Sequence, residues 1–244
     1  MKKKNAKRLL IFLIILFFVI NYSFIDSFLN DIFNSREIVL VDGVIDGDTV
    51  KVNGTSIRLL GINTPEKGEI YYEEAKEFLQ DLVLNKTVEL EYGKEKYDKY
   101  HRILGYLFLN EENINKKIVE KGFANFYFPS GKDKYYPEFK KVWERCIDSN
   151  KNLCEKSKHK CSDCIKLKEF DYKNDEITLK NNCDIECNLN NWAVKGEGRK
   201  IEELNFSLSE NEEVTIEFEN MWTDTGDTIF LRDNEFKLVL WYSY

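Results

Sequence analysis

Short segments in which apolar and polar residues alternate fill much of residues 37–109, and tight-turn dipeptides separate several of them. Alternation with a period of two predicts half-buried strands, whereas apolar residues at intervals of three and four predict helices. The predicted strands are 37–44, 49–52, 56–62, 87–92 and 103–109, and the predicted helices are 71–84, 115–121 and 137–148. Asp46-Gly47 and Asn53-Gly54 are expected to form hairpin turns. Five strands with an inserted helix predict a mainly β domain, a closed OB-type barrel over residues 36–150.

The pattern changes near residue 150. Residues 151–163 are polar and lysine-rich and contain cysteine, which is typical of a cross-linked connector. Beyond them, strand-like runs recur between Asn, Gly and Asp turns, at 165–170, 176–180, 192–194, 213–218, 228–231 and 236–240. This spacing predicts a β-sandwich over residues 164–244.

Residues 1–35 differ from both of these regions. Four lysines and an arginine precede an unbroken apolar run at 9–20, which extends to residue 25 with a few polar interruptions. No face of the run is polar, which excludes a helix of a soluble core. Because no small-x-small site follows the run, we favour a retained transmembrane signal anchor, with a cleaved signal peptide as the alternative. The preceding basic residues place the remaining domains outside the cytoplasm, either anchored in the cell membrane or secreted.

The cysteines agree with an oxidising compartment. All six lie between residues 146 and 187. An even number outside the cytoplasm favours disulfides, although sequence alone leaves fifteen pairings open. A four-thiolate zinc site is the less favoured alternative for the last four. The disulfide candidates are Cys146, Cys154, Cys161, Cys164, Cys183 and Cys187.

The charge is uneven along the chain. Residues 1–35 carry a net charge of +3, residues 36–160 are neutral, and residues 161–244 carry −10. The broad basic surface of many nucleic-acid-binding proteins is therefore absent from the composition. Any binding of a polyanion must depend on a local site.

One segment carries such a site. Residues 44–66 hold three acids and an arginine within an otherwise strand-like sequence. They lie at the mouth of the meander that the first three predicted strands and their two hairpin turns would form. Carboxylate, amide and backbone oxygens are the ligands that Ca²⁺ prefers, and a guanidinium can donate two hydrogen bonds to a phosphodiester. A further carboxylate can activate water. Taken singly, each signal also fits a turn or a surface charge.

The combination resembles the staphylococcal nuclease family. Its fingerprint is D-G-D-T, then R-L-x-x-apolar-D-x-P-E, then D-K-Y-G-R. Here the corresponding residues run Asp46 to Thr49, Arg58 to Glu66 and Asp98 to Arg102, with Asn115 and Gly122-Phe123-Ala124 matching later segments. The resemblance covers about residues 37–150 and implies an OB-type barrel and a Ca²⁺-dependent endonuclease of DNA, with RNA as a second candidate substrate.

The resemblance also implies residue roles. Asp48, Asn63 and the backbone carbonyl of Thr64 would hold Ca²⁺. Arg58 and Arg102 would bind the scissile phosphate, and Glu66 would act on the attacking water. The nucleotide would contact Lys99 and Tyr100, and no small-molecule cofactor is implied.

Two positions depart from the family pattern. Asn63 stands where the family has a second metal-binding aspartate, which removes a negative charge and weakens Ca²⁺ binding. His101 stands where glycine is usual, which costs strain if that position requires a positive φ.

The last third has a resemblance of its own. Asn181-Asn182-Cys183, Asn191-Trp192, the segment from Trp222 to Leu231 and the C-terminal Leu240 to Tyr244 resemble the lamin-tail domain, an immunoglobulin-like sandwich. The three tryptophans Trp192, Trp222 and Trp241 are expected to pack in its core. A membrane-anchored nuclease is the function that these patterns favour, and a non-catalytic nucleic-acid or surface-binding module on the same barrel is the alternative.

Overall fold

The computed structural model describes residues 2–22, 36–224 and 226–244. It divides into two compact units, Met1–Glu37 and Ile38–Tyr244. The first unit contains helix α1, Lys2–Ile20. Within the described residues no helix is both long enough and apolar enough to cross a membrane. The predicted anchor beyond residue 22 lies outside the described residues.

The first half of the second unit is built around a seven-stranded sheet with the order β1-β6-β7-β4-β3-β2, and β8 pairs with β7. Strands β4 and β7 are parallel. A separate antiparallel pair joins β5 to β9. The strands are β1 Glu37–Leu40, β2 Gly43–Asp46, β3 Thr49–Val52, β4 Thr55–Leu59, β5 Gly61–Asn63, β6 Thr87–Tyr97, β7 Ile103–Leu109, β8 Glu112–Asn113 and β9 Asn125–Tyr127. This curled, mainly β arrangement is consistent with the predicted OB-type fold.

Two predicted strands are divided in the structure. The strand predicted at 37–44 becomes β1 and β2, and the one predicted at 56–62 becomes β4 and β5. The second break occurs because Gly61 has a φ of +75° and turns the chain away from the sheet. A Cβ on Gly61 would lie 3.1 Å from ring atoms of Phe128 and Phe139, so the close packing also favours glycine.

Three amphipathic helices complete the core of this half. They are α2 Tyr72–Val83, α3 Ile114–Glu120 and α4 Tyr136–Ser149, each within two residues of its predicted bounds. Their buried faces include Leu79, Ile118 and Trp143, which belong to one cluster with Leu107 and Phe126 of the strands. Burial of such side chains is the main favourable contribution to folding.

The second half forms two larger antiparallel sheets that share one hydrophobic cluster, which includes Trp192 and Trp222. Their orders are β10-β11-β16 and β14-β13-β17-β18, and β12 pairs with β15. The strands are β10 Ile165–Asp171, β11 Glu176–Asn181, β12 Cys187–Asn188, β13 Trp192–Lys195, β14 Ile201–Leu204, β15 Ser207–Leu208, β16 Glu213–Glu217, β17 Thr228–Arg232 and β18 Leu238–Ser243. The last strand begins two residues later than predicted because Phe236, with a φ of +62°, still belongs to the preceding turn.

The cysteines form three disulfides, Cys146–Cys154, Cys161–Cys187 and Cys164–Cys183. The preference for disulfides over zinc is confirmed, and the pairing is now defined. The first bridge closes the C-terminal end of α4 onto the connector, the second joins the connector to the second half, and the third cross-links the second half itself.

The two halves also share buried contacts. The ring of Trp143 in α4 makes edge contacts with Phe230 and Trp241 of the second half, at centroid distances of 5.4 Å and 6.4 Å. Arg232 in β17 is buried and donates a hydrogen bond from Nη1 to the carbonyl of Leu153, at 2.8 Å. The two halves therefore pack as one body, which fixes loops of the second half against the first.

Candidate active site

Asp48 lies in the turn between β2 and β3. Its Oδ2 accepts the backbone N–H of Thr64 at 3.2 Å and pairs with Arg58 Nη2 at 2.8 Å. A Cβ on the neighbouring Gly47 would lie 2.8 Å from the Cβ of Ala75, so only glycine lets this turn pack on α2. These contacts hold the buried carboxylate of Asp48 in a fixed position.

Arg58 is held at the centre of the sheet. It pairs with Thr49 on β3 and with Leu104 on β7, so the Asp48 turn and the Arg102 turn lie on either side of it. Its Nη1 donates to the carbonyl of Leu59 at 2.6 Å, and its Nη2 to that of Ile62 at 2.9 Å. The side chain is only 9% exposed, and these contacts orient it rigidly.

The turn before β7 positions Arg102. Its Nε donates to Asp98 Oδ2 at 2.7 Å, and Asp98 Oδ1 also accepts the backbone N–H groups of Tyr100 and Arg102. Burial opposes ionisation of Asp98, but these hydrogen bonds outweigh it and hold its pKa below the usual value. His101 has a φ of +63°, so the strain predicted for histidine at this glycine position is present.

A cavity of about 730 Å³ brings several predicted residues together, since Arg58, Asn63, Lys99, Tyr100 and Arg102 all line it. Tyr100 is 66% exposed, and the Arg102 guanidinium lies 5.6 Å from its ring centroid. The cavity therefore combines two fixed arginines with an accessible aromatic face.

Glu66 is placed at the edge of this arrangement rather than in the cavity wall. Its backbone N–H donates to Glu69 Oε2 at 2.9 Å, which closes a turn before α2. Its carboxylate Oε1 forms an ion pair with Arg199 Nε, at 2.6 Å. Arg199 itself lines the cavity. The structure therefore connects Glu66 to the cavity through a residue of the second half.

Asn63 also contacts the second half. Its Nδ2 donates to the carbonyls of Glu197 and Gly198, each at 3.1 Å, and its Oδ1 lies 3.4 Å from Arg58 Nη2. Asn125 Nδ2 donates to the same Glu197 carbonyl at 3.0 Å. We call residues 196–200, between β13 and β14, the docking loop.

The buried carboxylate of Glu197, within the docking loop, also holds this loop in place. Glu197 Oε1 accepts from Thr228 Oγ1 at 2.8 Å, and Oε2 accepts from the backbone N–H of Phe128 at 3.3 Å. The Glu197 N–H donates to Asp227 Oδ1 at 2.8 Å. Burial, with the nearby Asp227 charge, raises the pKa of Glu197 to about 8.

The donor set fits a hard cation. Burial and the charge of Asp48 raise the pKa of Asp46 to about 6. The carboxylates of the half-buried Asp46 and the buried Asp48 therefore repel each other, and a divalent ion would relieve that repulsion. The candidate ligands are all oxygens, as Ca²⁺ requires. Within the described residues, however, no group of three or more acidic, His or Cys side chains is arranged so that it could hold a metal ion. The expected site therefore has fewer charges than a three-carboxylate site.

Comparison with known proteins decides the family. The sequence profile described as staphylococcal nuclease homologue matches residues 56–156. The thermonuclease of Staphylococcus hyicus is 32% identical over 120 residues, which cover 45% of this chain and 71% of that protein. The chain belongs to the staphylococcal nuclease family.

Two further proteins are similar to part of the chain. The thermonuclease of Staphylococcus intermedius is 37% identical over 109 residues, covering 41% of this chain and 65% of that protein. The SPbeta prophage-derived endonuclease YokF of Bacillus subtilis is 32% identical over 115 residues, covering 42% of this chain and 39% of that protein. The chain thus spans less than two thirds of the length of both. These similarities support a phosphodiester-hydrolysing nuclease.

Sequence reasoning missed the docking loop. Glu197, Gly198 and Arg199 contact residues more than 70 positions earlier in the chain. Their segment, GEGRK, matches no part of the family fingerprint. The only sequence feature that pointed to this loop was the departure from the family pattern at Asn63. The amide N–H groups of Asn63 donate hydrogen bonds to the carbonyls of the loop. The departure from the family pattern at Asn63 therefore has a structural reason.

Proposed function

We propose that the chain is a Ca²⁺-dependent nuclease that hydrolyses the phosphodiester bonds of DNA, with RNA as a second substrate. The observation that carries this proposal is that Arg58 and Arg102 line one cavity. Two guanidinium groups suit a phosphodiester because each can donate a pair of hydrogen bonds to it. Membership of the staphylococcal nuclease family supports the same activity.

The residues divide the work of a direct hydrolysis. Glu66 takes a proton from the attacking water, while Arg58 and Arg102 stabilise the charge that develops on the phosphate. No protein nucleophile and no covalent intermediate are needed. Asp48, Asn63 and the carbonyl of Thr64 would hold Ca²⁺, which supplies further positive charge when bound.

Single-stranded or frayed nucleic acid is the proposed form of the substrate. The exposed ring of Tyr100 offers a stacking surface for a base, and Lys99 lines the same cavity. Stacking on aromatic side chains is a common way to bind unpaired bases without sequence preference.

The test is cleavage of a single-stranded DNA by the full chain, with calcium and then with a chelator. We expect calcium-dependent cleavage, and Glu66→Gln should lower kcat by about 100-fold or more because the proton acceptor is lost. Glu120→Gln is the matched control, since Glu120 also forms an ion pair with an arginine, Arg145, at 3.2 Å. Binding of DNA without cleavage by the wild-type chain would instead favour the non-catalytic binding module.

The N-terminal segment is proposed to act as a membrane anchor, with export and cleavage as the alternative. Support comes from the five basic residues within 2–8, which are followed by the apolar run at 9–20. In the producing cells, the chain should remain in the membrane pellet after alkaline carbonate washing. Release into the medium with a processed N-terminus would contradict an anchor.

The second half is proposed to be an immunoglobulin-like, lamin-tail-like sandwich. Its two antiparallel sheets with one shared core support this proposal. An experimental structure in which the sheets do not pack face to face would contradict it.

A further inference from the structure

Three arginines line the cavity, and they differ in how freely they can reach a ligand. The side chain of Arg58 is 9% exposed, that of Arg102 is 24% exposed and that of Arg199 is 61% exposed. Arg58 is already engaged by Asp48 and by two backbone carbonyls. Arg102 is engaged by Asp98 through Nε.

Arg199 has donors to spare. Its Nε pairs with Glu66, and within the described part of the chain neither of its Nη atoms has a hydrogen-bond partner. The guanidinium of Arg199 can therefore donate to a new acceptor without breaking buried contacts. An exposed ion pair such as Arg199–Glu66 contributes little to stability and is easily exchanged.

The position of Arg199 is nevertheless defined. The preceding residues Glu197 and Gly198 accept hydrogen bonds from Asn63, and the Glu197 N–H is held by Asp227. The fixed backbone holds an exposed cationic side chain at the cavity wall, so that no loop has to be ordered when a polyanion binds, and less entropy is lost.

We propose that Arg199 is a third substrate-binding arginine, supplied to the nuclease site by the second half of the chain. In the free protein it pairs with Glu66. When a polynucleotide enters, its guanidinium moves to a backbone phosphate, and Glu66 becomes available to the attacking water. This inference rests on the proposed function and assigns part of the substrate site to the docking loop.

The acidic character of the second half means that only a local cation, and not the overall charge of this half, can attract the substrate. Residues 161–244 carry a net charge of −10, so a general electrostatic attraction of the substrate by that half is excluded. Any favourable contribution from it must come from a local cation at the cavity, which is where Arg199 lies.

The experiment compares the full-length wild type with Arg199→Gln, Arg199→Lys and Arg145→Gln, measuring kcat and KM on single-stranded DNA over a range of salt concentrations. Arg145 is the matched control because it is 54% exposed and paired with Glu120 outside the cavity. Loss of one charged hydrogen bond to phosphate should raise KM about 10-fold in Arg199→Gln, with kcat changed less than about 3-fold. The salt dependence of log KM should fall by about 0.7, the value for one phosphate contact on a single strand.

The conservative variant and the control sharpen the result. Arg199→Lys should have a KM much closer to that of the wild type than to that of Arg199→Gln. Arg145→Gln should have the same KM and kcat as the wild type. An unchanged KM in Arg199→Gln, or a rise in kcat/KM, would overturn the proposal, because the arginine would then be a surface charge or a restraint on Glu66. A fall in kcat with an unchanged KM would also overturn it.

Failure of the proposed function is distinguishable from failure of this inference. If the wild type does not cleave DNA, the same variants are tested for binding of fluorescent single-stranded DNA in a chelator. Weaker binding by Arg199→Gln alone would then support the arginine's role, and equal binding by all four proteins would refute it.

Discussion

At the scale of single residues, Asn63 is the position at which the protein departs most informatively from its family. Both N–H groups of its amide have a carbonyl acceptor in the docking loop. In Asn63→Asp a carboxylate oxygen would replace Nδ2 and face these two carbonyl oxygens with no proton to donate, while the other oxygen stays near Arg58 Nη2. We expect Asn63→Asp to lower the free energy of unfolding by about 3 kcal/mol in a chelator, because a buried charged oxygen would lack a hydrogen-bond partner.

A calcium titration distinguishes the structural role of residue 63, its hydrogen bonds to the docking loop, from its proposed role as a calcium ligand. If residue 63 is a ligand, calcium should raise the melting temperature of Asn63→Asp more than that of the wild type, because the new carboxylate binds the ion. Asn125→Asp is the matched control, since Asn125 donates to the same Glu197 carbonyl but is not a proposed ligand. Equal calcium shifts in both variants would show that residue 63 does not bind the ion.

Glu197 predicts a pH dependence of stability. Its pKa is raised from 4.5 to about 8 by burial and by Asp227, with Lys132 opposing the shift. Between these values the folded protein binds more protons than the unfolded chain, so the free energy of unfolding falls as pH rises from about 4.5 to 8. Each unit of the shift corresponds to about 1.4 kcal/mol as an upper bound.

Urea unfolding at pH 5.5, 7.0 and 8.5 measures this effect. In Glu197→Gln the decline should be much smaller, because a neutral amide can still accept from the Phe128 N–H and donate to Thr228. Glu203→Gln, at an exposed position on β14, should retain the wild-type decline. The same slope in all three proteins would mean that Glu197 does not titrate in this range.

At the scale of elements, sequence patterns predicted what local physics determines. Strand β3 and the three helices of the first half follow their apolar spacing closely, and Asn53 and Gly54 have the positive φ values expected of their turn. The division of β4 from β5 was missed because the apolar pattern is continuous through Gly61. Its cause is the ring packing of Phe128 and Phe139 against that glycine, which is a tertiary effect.

The same distinction applies to the site. The family fingerprint predicted Asp48, Arg58 and Arg102 as site residues, and the structure places them on neighbouring strands and turns. It could not identify the docking loop, because nothing local in residues 196–200 indicates that they contact Asn63 and Glu66. Only the packing of the two halves brings these residues together, and it supplies Arg199 to the cavity.

At the scale of the whole molecule, that packing predicts a single unfolding unit. Phe230 of the second half is 1% exposed and belongs to the same hydrophobic cluster as Trp143 and Phe126 of the first. Phe230→Ala should lower the free energy of unfolding by about 3 kcal/mol or more, because it leaves a cavity between the halves.

Hydrogen exchange in increasing urea, read by mass spectrometry, tests how this loss is distributed. If the halves are one cooperative unit, peptides from α4 and from β11 should lose protection at the same urea concentration in the wild type, and both midpoints should fall together in Phe230→Ala. Nuclease activity should disappear over the same transition, since the docking loop would leave Asn63 and Glu66 when the second half unfolds. Protection of α4 that persists after β11 has exchanged would show instead that the first half is stable without the second.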